Sequence, residues 1–222
     1  MARRPQTTPR KMASQKRSRL TVDALVEATA RILRKEGYDR ASTNKIAALA
    51  GVSIGSLYQY FPSKEALVAA VIERHAQELW QVVRDALVKV AASPVEIATR
   101  ELVAAAIDAH RVDPKLHRVL AEEAPRTGKL ANIESVQANA GALFRDYLEA
   151  HRREIGVADL DLAAFVLATT VEALTHSAVL HRPDMLADGK AGAFVDEVTG
   201  LVLRYLRRRE APRRSGRTRA AP

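Results

Sequence analysis

Ser42 to Phe61 read STNKIAALAGVSIGSLYQYF, and the spacing within these twenty residues decides the fold. Ser42 and Ser53 each precede a short run of helical period, and Gly51 stands between the runs where a left-handed turn is needed. Two helices joined so tightly must approach closely at the corner. Ala47 leaves room for that on the first helix, while Ile46, Val52, Leu57 and Phe61 fill a small core. The pattern is a helix-turn-helix. In that geometry the second helix enters the DNA major groove, with its N-terminal residues meeting base edges and phosphates. Gly55 lets the backbone come close, Ser53 and Ser56 can donate to phosphate or base, and Tyr58, Gln59 and Tyr60 can reach backbone or bases. Two tyrosines two apart on a short helix cannot share one core, so at least one is expected to be exposed.

Outward from this stretch every segment keeps helical period, and none alternates convincingly enough for a strand. Upstream, Val22, Leu25, Val26, Thr29, Ile32 and Leu33 form one apolar face, with Thr21 as N-cap and Gly37 as the stop. Downstream, Pro62 ends the recognition helix and Ser63 caps a long fourth helix to about residue 91. Ser93-Pro94-Val95-Glu96 reads as N-cap, first-turn proline and capping glutamate for a helix to about Arg111. Asp113-Pro114 opens another that Pro125 should end, and a further helix spans about 133–153. The last two, about 160–181 and 190–208, are the most apolar. The first of them is apolar nearly all round, which points to cover by a second subunit. The fold class is all-α.

Charge is unevenly placed. The 222 residues carry a formal +9, yet residues 1–19 hold seven basic side chains and no acid, and residues 204–222 hold eight arginines against Glu210. The body from 20 to 203 is therefore a net −5. The ends read as flexible basic arms, 1–19 and 209–222, around a helix-turn-helix domain at 20–63 and a larger domain at 64–208. Such arms suit contact with a polyanion, nucleic acid being the usual one, or serve as solubilising extensions. Hydrophobic residues at 47% and charged residues at 27% exclude wholesale disorder and a fibrous class. Cysteine is absent, which removes disulfides, thiolate metal sites and a cysteine nucleophile. No apolar segment follows the basic start, and the run Leu162–Val171 is too short to span a bilayer, so a cytoplasmic, non-membrane protein is expected.

The combination over residues 20–72 closely resembles the TetR family of bacterial transcriptional regulators. The resemblance rests on Ala28, Leu33 and Gly37-Tyr38, on Ser42–Ala47 and Ala50–Ser53, on Gly55–Phe61, and on Ser63-Lys64-Glu65-Ala66-Leu67. It implies phosphate contacts from Thr43, Tyr58, Tyr60 and Lys64 and groove contacts from Ser53, Ile54, Gly55, Ser56 and Gln59. Ile54 departs from the polar residue often found at its place; it either touches a thymine methyl or only supports the helix. Residues 73–222 show the family's layout rather than a diagnostic motif. That layout implies a homodimer through the last two helices, a palindromic double-stranded DNA operator and a small-molecule effector.

For the effector site the residues say less. Glu172 and His176, one turn apart on an apolar stripe, are expected to be buried, as a mutual pair, a pair across the dimer interface, or polar recognition inside a pocket. Trp80, His110, His117, Phe144 and Tyr147 are further pocket candidates. His110, His117 and His176 lack close metal-ligand spacing, and no metal or cofactor is assigned. An enzyme fails on inventory, since the chain carries no phosphate loop, nucleophile elbow or His-Glu-x-x-His. The reading is a homodimeric, ligand-released repressor; the alternatives are a non-specific architectural DNA binder and a constitutive repressor without effector.

Overall fold

A computed structural model describes residues 16–127, 131–187 and 189–207. Among them are nine α-helices, one 3₁₀ turn and no strand: α1 Lys16–Glu36, α2 Thr43–Ala50, α3 Ile54–Tyr60, α4 Lys64–Lys89, α5 Val95–Arg111, α6 Pro114–Thr127, α7 Ala131–Ala150, α8 Leu160–Leu180 and α9 Lys190–Leu206, with the 3₁₀ turn at Pro183–Met185. Most of both basic arms lies outside the described residues.

Helices α1–α3 and the start of α4 fold around one core. Leu25, Leu33, Ile46, Leu57, Phe61 and Leu67 are almost wholly buried there, each contributing about 1.5–3 kcal/mol relative to exposure. The boundaries follow local chemistry. Ser42, Ser53 and Ser63 have extended backbone and accept from the N–H groups of Lys45, Ser56 and Ala66. Gly37 and Gly51 take φ values of 77° and 68°, the left-handed conformation a side chain resists. At Gly51 the chain turns while its own N–H and that of Val52 satisfy the carbonyls of Ala48 and Ala47. Tyr38 then locks α4 in place: its hydroxyl donates to Glu65 Oε1 at 3.1 Å, and its carbonyl accepts from Lys64 Nζ at 3.2 Å.

Helices α4–α9 form the larger bundle, with α5 packed centrally between α4, α8 and α9 and with α7 against α8. Two further clusters make its core, one around Leu148, Leu160, Ala164 and Leu206 and the other around Val103, Ile107, Val179 and Val198. α6 bridges the two domains. Leu116 and Leu120, on its inner face, belong to the core of α1–α4, and Arg34 of α1 pairs with Asp113, the cap of α6, at 2.6 Å.

Several sequence expectations need correction. α1 starts at Lys16, so Thr21 lies inside it and is no cap. The extra turn is held from outside, because the Tyr60 hydroxyl donates to Ser18 Oγ at 3.1 Å. Pro94 sits at the N-cap of α5 and not in its first turn, and the Val95 N–H is met by Glu154 Oε2 at 2.9 Å instead of by Ser93. α6 continues through Pro125 to Thr127; the proline removes one ladder bond in a turn that ends two residues later. α8, at 21 residues and a mean hydropathy of 1.5, is long and apolar enough to cross a membrane by length and composition, so the shorter run read from the sequence understated it. It is placed in the bundle here, against α5 and α7. Glu172, expected to be buried, is 63% exposed, because it stands at the open rim of the cavity described below; His176 is half-buried.

Candidate nucleic-acid interface and effector cavity

The helix-turn-helix offers a polar, outward surface. Ser53, Ile54, Gly55, Tyr58 and Gln59 are exposed, Thr43, Ser56 and Lys64 are half-buried, and Tyr60 is buried at 9% exposure. Ser53 caps α3 through Oγ and also lies 2.9 Å from Ser56 Oγ, so the two hydroxyls that open the helix are held together. Thr43 Oγ1 and Tyr58 Oη share a hydrogen bond of 3.1 Å across the two helices. A methyl group on Gly55 would meet only Ser53 Oγ, at 3.9 Å, so nothing within the chain requires glycine there. Lys64 is held with its ammonium 3.8 Å above the centre of the Tyr38 ring, a cation–π contact that fixes the charge beside the end of α3. Of the two tyrosines, Tyr58 points outward at 42% exposure, while Tyr60 turns inward and ties α3 to Ser18.

The second feature is a cavity of about 1180 Å³ inside the larger domain, walled mainly by apolar side chains of α4, α5, α7 and α8. All seven pocket candidates named from the sequence, Trp80, His110, His117, Phe144, Tyr147, Glu172 and His176, line it. Trp80 and Phe144 meet edge to face with ring centres 6.1 Å apart. The Tyr147 hydroxyl donates to the Ser93 carbonyl at 2.9 Å; burial pushes its pKa up to about 12, helped by Glu154, and keeps it a donor.

One end of the cavity is a histidine cluster, and it includes a residue the sequence reading missed. His75 of α4 is buried, and its Nε2 lies 2.8 Å from His117 Nδ1; His117 Nε2 in turn lies 3.0 Å from His176 Nδ1. His75 stands three residues after Ile72 and four before Leu79, on the buried stripe of α4, which was the available signal. Burial first, then repulsion among the rings, lowers His110 to about 4 and His117 to about 3. Burial also lowers His75, with Asp113 opposing and Arg74 adding. His75, His110 and His117 are therefore neutral at neutral pH, each with a lone pair to offer.

Comparison with known proteins adds the context. Residues 25–71 match the family model described as bacterial regulatory proteins, tetR family, and residues 94–206 match the tetracyclin repressor-like C-terminal domain. The transcriptional repressor NicS of Pseudomonas putida is 28% identical over 199 residues, covering 85% of this chain and 93% of that one. The nucleoid occlusion factor SlmA of Haemophilus ducreyi is 33% identical over 86 residues, 39% of this chain and 42% of that protein, so the match spans less than half its length. Among solved structures, the fatty acid degradation regulator FadR from Bacillus halodurans superposes with a TM-score of 0.63 at 24% identity, over 82% of this chain and 94% of that one. A bacterial regulatory protein in the tetR family from Rhodococcus RHA1 gives 0.62 at 18% identity, over 84% and 96%. At these identities the likeness to solved structures concerns the fold.

Proposed function

We propose, from the premise that this chain belongs to the TetR family of bacterial transcriptional regulators and is no enzyme, that it is a repressor which binds a palindromic operator as a homodimer and is released by a small molecule. The observation that carries the proposal is α3: a capped, seven-residue helix set on a rigid core, with Ser53, Ile54, Gly55 and Gln59 facing outward and hydroxyl pairs on either side. In this reading Gln59 and Ile54 read bases, and Thr43, Tyr58 and Lys64 hold phosphates, while Tyr60, expected from the sequence to join them, is turned inward with its hydroxyl donated to Ser18 and supports α3 instead. Gly55 is there for the approach of DNA, since the chain itself leaves space for a side chain. The repressor sign follows the full-length relative NicS, whose name carries that function. As a soluble DNA-binding regulator it acts in the cytoplasm.

Dimerisation is assigned to α8 and α9. Leu162 and Leu174 on α8 and Leu201 on α9 are exposed in the single chain, Leu162 at 55%, and Phe165, which also lines the cavity, stands exposed beside them. An apolar face of that kind calls for a partner of the same chemistry, and a two-fold axis supplies it. The two α3 helices would then enter successive major grooves about 34–36 Å apart.

The effector is assigned to the cavity between α4 and α8, and the wall composition favours a molecule with an apolar body and a polar end. Two helices couple that site to DNA. α4 starts at Lys64, capped by Ser63 just after the recognition helix, and carries His75 and Trp80 on the cavity wall. α6 presents His117 to the cavity and Leu116 to the core under α1. A ligand that fits better when these helices have shifted must weaken DNA binding, and DNA must weaken that ligand by the same factor. Selection of bound sequences from random duplex DNA at physiological salt tests the proposal. A recovered palindrome supports it; tight binding without enrichment favours the architectural alternative.

A further inference from the structure

Three helices with no shared sequence spacing bring histidines to one point of the cavity wall. His110 comes from the last turn of α5, His117 from the first turn of α6 and His176 from near the end of α8, and one ring nitrogen of each lies within 4.8 Å of the others. Four of the chain's six histidines, counting His75, are gathered here. Two ring contacts close the group: His110 is 4.9 Å from His117 and 5.5 Å from His176, centre to centre.

Hydrogen bonding explains only part of this arrangement. A row of neutral imidazoles needs one proton per bond, so His75, His117 and His176 can satisfy one another in a single tautomer direction. His110 is left over. The residue is 5% exposed and its Nδ1 has no hydrogen-bond partner among the described residues, a loss of about 1–3 kcal/mol for a buried polar atom. A cation at the centre of the cluster would give each of the three nearest rings a use for its lone pair.

We propose that His110, His117 and His176 bind a divalent first-row transition-metal ion of the zinc class, with His75 positioning His117 from behind. Imidazole nitrogens sit about 2.0–2.1 Å from zinc, so two of them on a tetrahedral ion are about 3.3 Å apart. The His117–His176 pair at 3.0 Å is already near that spacing, and the remaining separations, at most 4.8 Å, need to close by about 1.5 Å or less. With His117 Nε2 on the ion, its Nδ1–H donates to His75 Nε2, and the Nδ1–H of His75 is then directed toward Glu78 Oε2, 3.9 Å away. Ligand rings anchored through their second nitrogen are the usual arrangement at metal centres, because the anchor sets both tautomer and orientation. An all-nitrogen donor set without thiolate suits zinc, nickel, cobalt or copper and disfavours magnesium and calcium. Three protein ligands leave a fourth position facing the cavity, open to water or to an anionic group of whatever occupies it. Glu172, with Oε1 3.9 Å from His176 Nδ1, stands at its rim.

The test uses the full chain, untagged and stripped with a chelator, titrated with Zn²⁺ against a chromophoric competitor and with Co²⁺ followed by visible absorption. One ion per chain and the strong visible bands of four-coordinate cobalt are expected. His110→Ala and His117→Ala should abolish uptake, and His176→Asn, at a half-exposed position, should do so with the circular dichroism melt retained. His75→Gln should keep the stoichiometry while weakening the ion by about 10–100-fold, and His151→Ala should change nothing. No stoichiometric uptake by the parent protein, or uptake indifferent to the cluster variants, overturns the proposal. Because no DNA is present, this result stands or falls apart from the operator reading.

Discussion

The hydroxyl pair between Thr43 and Tyr58 gives a sharp test of how the chain grips phosphate. Thr43→Val and Tyr58→Phe each remove one oxygen and little else from a bond that is 3.1 Å long and solvent-exposed. In the free protein such a change should alter stability by about 0.5 kcal/mol or less. On DNA each hydroxyl is expected to donate to a phosphate oxygen, and a hydrogen bond to a charged group contributes about 1.5–3 kcal/mol. Losing one then weakens binding roughly 10- to 140-fold. Fluorescence anisotropy on a selected operator and on a scrambled duplex should show the same fold-loss on both, because phosphate contacts carry no sequence information. The salt dependence supplies an internal control. Neither hydroxyl is charged, so the slope of log affinity against log salt should stay unchanged, whereas Lys64→Ala should reduce it by about one. If both hydroxyls serve one phosphate, the double variant loses less than the sum of the singles. Unchanged affinity, or a loss confined to the operator, would refute the phosphate assignment.

Four further outcomes follow from the same geometry. Gln59→Ala should change which sequences are selected; equal losses on operator and scrambled DNA would remove Gln59 from base reading. Leu201→Arg places a cation on an apolar residue that is 44% exposed on α9 and beside Arg204, so sedimentation should show the dimer falling to monomer, and an unchanged mass would contradict the assigned interface. Gly51→Ala meets no atom within 4 Å, so its cost is the left-handed backbone alone, about 1–2 kcal/mol in a denaturant melt, and a neutral result would mean the turn can relax. Metal-free protein should lose stability as pH falls from 6.5 toward 4. Over that window the unfolded chain takes up protons that folded His110 and His117, lowered to about 4 and 3, refuse; the contribution is complete above 6.5 and lost as pH drops through the folded values. The neighbours that face these rings are His75, Glu78, Asp113, Glu172, His176 and Arg74. Each 1 kcal/mol lost lowers the melting midpoint by about 2–4 °C. A fall between pH 6.5 and 5 that persists in the double variant His110→Asn, His117→Asn would assign it elsewhere.

What could be read in the sequence was local. Ser42, Ser53, Ser63, Gly37 and Gly51 act on backbone groups within three or four residues, and each does so in the structure as its neighbours dictate. The failures at α1 and α5 were long-range, whereas Pro125 failed locally, because a proline near the end of α6 did not stop it. Glu154 caps α5 from 59 residues away, and Ser18 holds Tyr60 from 42 away, which carried α1 back past Thr21 and turned Tyr60 inward. The cavity wall was partly legible, since aromatic and histidine residues on apolar stripes must face an interior. That the histidines meet could not be read, because His75, His110, His117 and His176 come from four helices whose crossing no spacing encodes. Glu172 misled for the opposite reason: a helix apolar nearly all round has no outer face until its neighbours are placed, and here α8 sets Glu172 at the open rim of the cavity.

Sequence-specific DNA binding through α3 is measured by the ratio of affinities for a selected palindrome and its scrambled counterpart at physiological salt. A ratio of about 10³ or more is expected, with two chains bound per site. A ratio near one, however tight the binding, would mean that α3 reads no sequence.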